Sequence, residues 1–305
     1  MSTRDMPNRA WGELALLGCI WGGSFLSVRV ALDEIPVATS VGYRVAVAAI
    51  VLWAYVALRR LPVPRAPRVW AALLVMGLLN NVIPFSLMAW GQLHIATGLT
   101  SILNAGTSVF GILVAAVFLA DERLTLRRAV GVAVGFLGVA TAIGLEDLTR
   151  FDPRSLAQLA VVGGTISYAF AGVWARTRLG GLAPQVAAAG MLSGASLVMV
   201  PAALWLDGPV VPRAADTIAA IGFYAVVATA CAYLLYFRVL AMAGSGNATL
   251  CTLVAAPVAI LLGAWVRHET LAPATYAGFA LLALGLVILD GRVLRPWRGT
   301  ASRSP

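Results

Sequence analysis

The sequence contains no lysine, two histidines and three cysteines, and only 11% of its 305 residues are charged. A soluble globular domain carries roughly 25% charged residues, so an ordinary water-facing surface is excluded. Cys19, Cys231 and Cys251 fall in apolar stretches without C-x-x-C or metal-ligand spacing and read as small hydrophobes. His94 and His268 stand far apart, and no HExxH, GxSxG or Walker sequence occurs. No enzyme constellation, metal or cofactor is therefore expected. Large soluble loops are missing too, which removes the platform of a receptor or scaffold.

What is present is apolar. Hydrophobic residues make up 60% of the chain, and the mean hydropathy is +0.88. A helix needs about 20 apolar residues to cross a bilayer, and such runs recur from Leu14 to Leu289. They include Val37–Leu58, interrupted only by Arg44, and a long stretch over Val239–Val266. The runs are too long for strands and lack their alternation. The expected fold is an all-α membrane protein of ten transmembrane helices. Arg4 and Arg9 before the first run superficially resemble a signal peptide, but no A-x-A-like site closes it, so an uncleaved first helix is expected.

Every basic residue is an arginine, and the net charge is +9. The arginines sit in short connections between apolar runs, which is a topology signal and not a nucleic-acid footprint. With the N-terminus inside, sixteen fall in inside segments, four (Arg150, Arg154, Arg213, Arg267) outside, and Arg29 and Arg44 within spans. Both termini are expected in the cytoplasm.

A shift of 147 residues superposes Glu122, Leu124, Gly131 and Gly138 on Glu269, Leu271, Gly278 and Gly285. Residues 1–147 and 148–305 then form two repeats of five helices. An odd helix number turns the second repeat upside down in the membrane. Such inverted repeats hold a substrate near the midplane where they meet. Gly131, Gly135 and Gly138, with Gly18 and Gly22, permit close helix approach. Packing within the bundle accounts for them better than a dimer interface, so a monomer is expected.

Several segments resemble one family. Trp21-Gly22-Gly23-Ser24-Phe25 is similar to the opening motif of the EamA family in the drug/metabolite transporter superfamily, and Gly42-Tyr43-Arg44-Val45 to its second-helix arginine motif. Phe118 to Thr125, followed by the Gly131/Gly138 helix, resembles its most recognisable signature, repeated loosely at His268-Glu269-Thr270-Leu271. Ala232 to Phe237 and Ala255-Ala256-Pro257 look like its eighth and ninth helices. The resemblance implies ten helices, export of metabolites such as amino acids, and a bacterial inner-membrane setting. It departs in the fourth helix, where Thr107-Ser108 replaces the usual proline. A helix break is thus expected more at Pro257 than there.

Polar groups within spans mark the candidate site. Thr97, Thr100, Ser101, Asn104, Thr107 and Ser108 form one stripe on the fourth helix, suited to lining a cavity or to helix packing; Asn104 and Ser108 lie deepest. Asn80 and Asn81 stand mid-way along the third span, with Phe85 beyond them. Ser167, Tyr168 and Trp174 come from the sixth, Tyr224 and Tyr233 from the eighth, and Trp21 and Ser24 from the first. Together these would make an aromatic pocket with a few hydrogen-bonding groups, suited to amino acids, aromatic ones included.

Arg44 lies roughly 12 Å inside the outer boundary at 1.5 Å per residue. It either pairs with Asp33 or Glu34 or ties its helix to carbonyls, or it binds a substrate carboxylate. Glu122 and Glu269 are expected to cap the helices that follow them or to brace the turn. None of the 13 acidic residues lies at a span centre. A proton pump or an organic-cation exporter usually needs an acid there. Facilitated transport of neutral or zwitterionic solutes is therefore expected over a proton-coupled multidrug exporter, and a carrier over a channel.

Overall fold

The computed structural model describes residues 8–119, 125–143, 153–243 and 251–290, and every regular element among them is a helix. In chain order these are α1 (Asn8–Ala31), α2 (Val37–Leu58), α3 (Pro67–Gly91), α4 (Thr97–Phe118), α5 (Leu126–Ile143), α6 (Pro153–Arg178), α7 (Pro184–Leu206), α8 (Ala215 to Ala243), α9 (Cys251–Arg267) and α10 (Pro273–Asp290). Proline opens α3, α6, α7 and α10, at the position where its missing N–H costs nothing. Among the described residues seven helices are long and apolar enough to cross a membrane. The apolar parts of α5, α9 and α10 are shorter, at Ala129–Ala142, Val254–Arg267 and Pro273–Ile288. Trp205 and Trp265 are 85% and 79% exposed, a cost that hydrocarbon removes and water does not. The chain is an all-helical integral membrane protein.

Two expectations fail in detail. The ninth helix does not start with the apolar run at Val239: residues 239–243 close α8, and α9 is described from Cys251, with 244–250 outside the described residues. The interruption expected at Pro257 is absent, since that proline lies inside α9, whereas α4 is interrupted by a turn at Gly106. Glycine supplies the break that proline would have made. A Cβ on Gly106 would stand 2.9 Å from the Leu103 carbonyl and 3.1 Å from Val139.

Two helices contain π-helical segments, Leu78–Val82 in α3 and Gly222–Cys231 in α8. A π turn bonds residue i to i+5 and so widens the helix, and such turns are frequent at functional sites. A shift of 147 residues carries 78–82 to 225–229, inside the second π segment. The same shift carries 126–143 to 273–290, the bounds of α5 and α10.

Packing follows that correspondence. Helix α2 packs on α7 and α5 on α10; α1 lies on α9 as α6 lies on α4, and α3 lies on α7 as α8 lies on α2. The α5–α10 contact runs through glycine, because a Cβ on Gly285 would stand 2.5 Å from the Gly135 nitrogen. Gly22 brings α1 against α9, where a Cβ would stand 2.7 Å from the Ala255 carbonyl. Fully buried Leu52, Ala189, Leu192 and Tyr224 belong to a core built from α2, α7 and α8.

Candidate functional site

The π segments and α2 together place a polar and aromatic cluster inside the bundle. The Arg44 guanidinium stacks 3.8 Å above the Phe85 ring centroid and 5.9 Å from that of Tyr224. Its Nε donates to the Thr229 hydroxyl at 3.0 Å, and that hydroxyl donates to the Tyr224 carbonyl, five residues back within the π segment, at 2.7 Å. The phenols of Tyr168, Tyr233 and Tyr224 all lie within electrostatic reach of the guanidinium. Asn80 donates to the Tyr233 hydroxyl at 3.0 Å, and that hydroxyl donates to the Asn81 amide oxygen at 3.2 Å. Ser167 donates to the Leu79 carbonyl at 2.7 Å, again a carbonyl of a π segment. One tyrosine thus serves both adjacent asparagines, and the Asn81 amide nitrogen is left without a partner among the described residues. Arg44, Asn80, Tyr168 and Tyr233 are half-buried; Phe85, Asn81, Ser167 and Tyr224 are buried.

The remaining candidates stand around this cluster or away from it. The Trp21 indole donates to the Ala228 carbonyl at 3.2 Å, fastening α1 to the α8 π segment, and its ring lies 5.8 Å from that of Tyr236. Ser24 spends its hydroxyl on the Trp21 carbonyl, one turn back. Trp174 donates to the Ala72 carbonyl at 2.9 Å and carries Arg178 over its ring, so it braces α6 on α3. Asn104 and Ser108 are half-buried on either side of the Gly106 turn, and Pro257 is half-buried in α9. No hydrogen bond joins these three to the Arg44 cluster. Thr229 escaped sequence reading altogether, because only the packing of α8 on α2 brings it to Arg44.

The acids serve a different purpose from the one expected. Asp33 pairs with Arg29 and with Arg267. Glu34 accepts from the backbone N–H groups of Arg213 (2.7 Å) and Ala214 (3.2 Å), just before α8. Neither reaches Arg44, which corrects the pairing expected for it. Glu269 caps α4 and not the helix after it, accepting from the Thr97 N–H at 2.9 Å and the Thr97 hydroxyl at 2.8 Å. The turn that aims it contains His268 at φ 54°, with the Glu269 N–H bonded to Gly263. Gly263 has no side chain to collide with the carboxylate. Asp207 likewise caps α2, accepting from the Thr39 N–H (2.8 Å) and hydroxyl (2.7 Å). Glu122 lies outside the described residues.

These ties sit at one end of the bundle, and all but the Arg29–Asp33 pair and the Glu269–Gly263 bond join residues on the two sides of position 147. Their electrostatics are set locally. Burial works to raise the Asp33 carboxyl, but hydrogen bonds and charge from Arg267 and Arg29 outweigh it and hold it below the ordinary 3.8. The Thr217 side chain and the Arg213 N–H hold Glu34 below the ordinary 4.5. A hollow of about 250 Å³ lies beside the Glu269 turn, lined by His94, Leu99, Arg154, Leu271 and Thr275 among others. It does not include the Arg44 cluster.

Comparison with known proteins places this geometry. The model of the EamA-like transporter family matches residues 10–144 and again 155–289. A probable terminal-alkyne amino-acid exporter of Streptantibioticus cattleyicolor is 26% identical over 94% of this chain and 95% of its own length. The uncharacterized inner membrane transporter YedA of Escherichia coli K12 is 24% identical over 94% and 92%. The uncharacterized transporter YoaV of Bacillus subtilis is 20% identical over 88% and 91%. A solved structure, described only as the crystal structure of a protein, superposes with a TM-score of 0.68 at 16% identity, covering 94% of this chain and 98% of that one. That likeness establishes the shared fold.

Proposed function

The chain belongs to the EamA-like transporter family, and from that premise we propose that it exports small metabolites, amino acids and aromatic ones among them, across a bacterial inner membrane. The names of its relatives, an amino-acid exporter and an inner membrane transporter, support that reading. In it, ten helices form two inverted repeats, 1–147 and 148–305, with both termini cytoplasmic. The corresponding helix bounds, the paired π segments and the reciprocal packing support the repeat. The arginine distribution supports the orientation.

The observation that carries the proposal is the Arg44 cluster. It draws Arg44, Asn80 and Phe85 from one half and Tyr168, Tyr224, Thr229 and Tyr233 from the other. Rocking of one half against the other would expose such a group of residues to each side in turn. Among the described residues the cluster contains a cation and no carboxylate. Organic cations and a proton-carrying acid are both disfavoured at such a site, so transport is facilitated and its solutes are neutral or zwitterionic.

The test is counterflow in liposomes containing the purified protein, each batch preloaded with one amino acid. Saturable exchange at equal pH on both sides is the expected result. Exchange that requires an imposed pH gradient would overturn the facilitated mechanism. No saturable exchange for any amino acid would overturn the substrate class.

A further inference from the structure

Arg44 spends only part of its hydrogen-bonding capacity on the fold. Guanidinium offers five N–H donors in a planar fork. Nε is satisfied by Thr229, and one face lies on Phe85. The terminal nitrogens Nη1 and Nη2 donate to no group among the described residues, and they are not sealed from open space either. Asp33 and Glu34, the acids nearest in sequence, are committed to Arg267, Arg29 and the α8 N-terminus. An unpaired cation within a membrane-spanning bundle is costly. The Phe85 face offsets only part of that cost.

The groups around the free fork share a character. Tyr168 is half-buried, and its hydroxyl makes no hydrogen bond among the described residues. The Asn81 amide nitrogen is buried and unpartnered, although its oxygen is held by Tyr233. Phe85, Tyr224 and Tyr233 supply ring surface beside these donors. Unspent donors next to aromatic walls suit a solute with an anionic, planar acceptor at one end and an apolar body at the other. A carboxylate fits the fork with two parallel N–H···O bonds. A purely structural Arg44 would need only the Nε bond and the stacking.

We propose that Arg44 anchors the carboxylate of the transported solute through Nη1 and Nη2, with the aromatic groups of the cluster against its apolar side chain. The proposal rests on the transport reading and makes it specific: the carboxylate is the part of the substrate that is obligatory. Thr229 is the positioning residue, since it fixes the plane of the fork through Nε.

The test compares acids with their carboxamides in counterflow: leucine against leucinamide and phenylalanine against phenylalaninamide. The wild-type protein is expected to prefer each acid by about tenfold or more in half-saturation, the worth of one charge-assisted hydrogen bond or more. Arg44→Gln abolishes the preference, and Arg44→Lys, which keeps charge without the fork, retains only part of it. Thr229→Val weakens the acid while leaving the amide unchanged. Should Arg44→Gln fail to fold, the wild-type comparison and Arg44→Lys decide. Equal exchange of acid and amide by the wild type would overturn the proposal while leaving the transport reading intact. No exchange of either would overturn the transport reading and this proposal with it.

Discussion

Glu269 accepts hydrogen bonds from both the N–H and the hydroxyl of Thr97, at 2.9 and 2.8 Å, across 172 residues of sequence. It is an N-cap supplied from the other half of the chain, and Asp207 does the same for α2 at Thr39. A capping residue is normally local. Here the cap also joins the two halves, so its loss acts on a helix end and on the closure of that end of the bundle together.

Removing the cap is the first prediction. Glu269→Ala should cost roughly 1 kcal/mol, the usual worth of an N-cap. The melting temperature of the purified protein in detergent measures it. A cysteine placed at Thr97 should also become more reactive to a membrane-impermeant thiol reagent in the Glu269→Ala chain.

Acidification should loosen the same end. The carboxyl of Asp33 is held below its ordinary value of 3.8 by Arg267 from the opposite half and by Arg29 from its own, and that of Glu34 below 4.5 by donors from the opposite half. A depressed carboxyl contributes stability that is complete above its ordinary value and is lost as pH falls through its lowered one. Melting temperatures should be flat from neutrality to about pH 5 and should then fall further with acid. Glu34→Gln should flatten part of that acid-side slope, leaving the Asp33 contribution.

Tyr233 serves two asparagines at once, accepting from Asn80 and donating to Asn81. Tyr233→Phe keeps the ring but strands the buried Asn81 amide oxygen, at about 1–3 kcal/mol, and leaves half-buried Asn80 only the Met191 sulfur. A lowered melting temperature and slower counterflow are expected. An unchanged protein would show that water replaces the hydroxyl.

The α5–α10 seam should not tolerate even a methyl group. In Gly285→Ala the new Cβ would fall on the Gly135 backbone, and overpacking of this kind costs about 1–3 kcal/mol. Gly111→Ala is the matched control: nothing lies within 4 Å of its Cβ position. There the gain in helix propensity, up to about 1 kcal/mol, should be neutral or favourable. The two melting temperatures should move in opposite directions or differ by several degrees.

Much of this was legible from residues alone. Hydropathy marked the helices, and the Glu-x-Leu and glycine spacing marked the repeat. The asparagine pair and Arg44, the charge within the second span, are among the groups that come together in the cluster. What stayed hidden depends on contacts between distant segments. Thr229 looks like any small polar residue in a membrane helix until α8 lies against α2. Asp207 and Glu269 look like loop acids, and only the fold assigns them helix ends more than 160 residues away in sequence. The π segments are equally silent, since Leu78–Val82 and Gly222–Cys231 share no residue pattern that local propensity would read as a widened turn.

In the proposed transport cycle, solute passes between two halves that part and close at opposite ends. The most direct measurement fixes one end shut. Thr39→Cys and Asp207→Cys, in a chain whose Cys19, Cys231 and Cys251 are alanine, place thiols on the two halves at a cap contact. Bridging them with a short, reducible dithiol cross-linker should abolish amino-acid counterflow in liposomes, and reduction should restore it. Full counterflow with the bridge quantitatively in place would contradict the account.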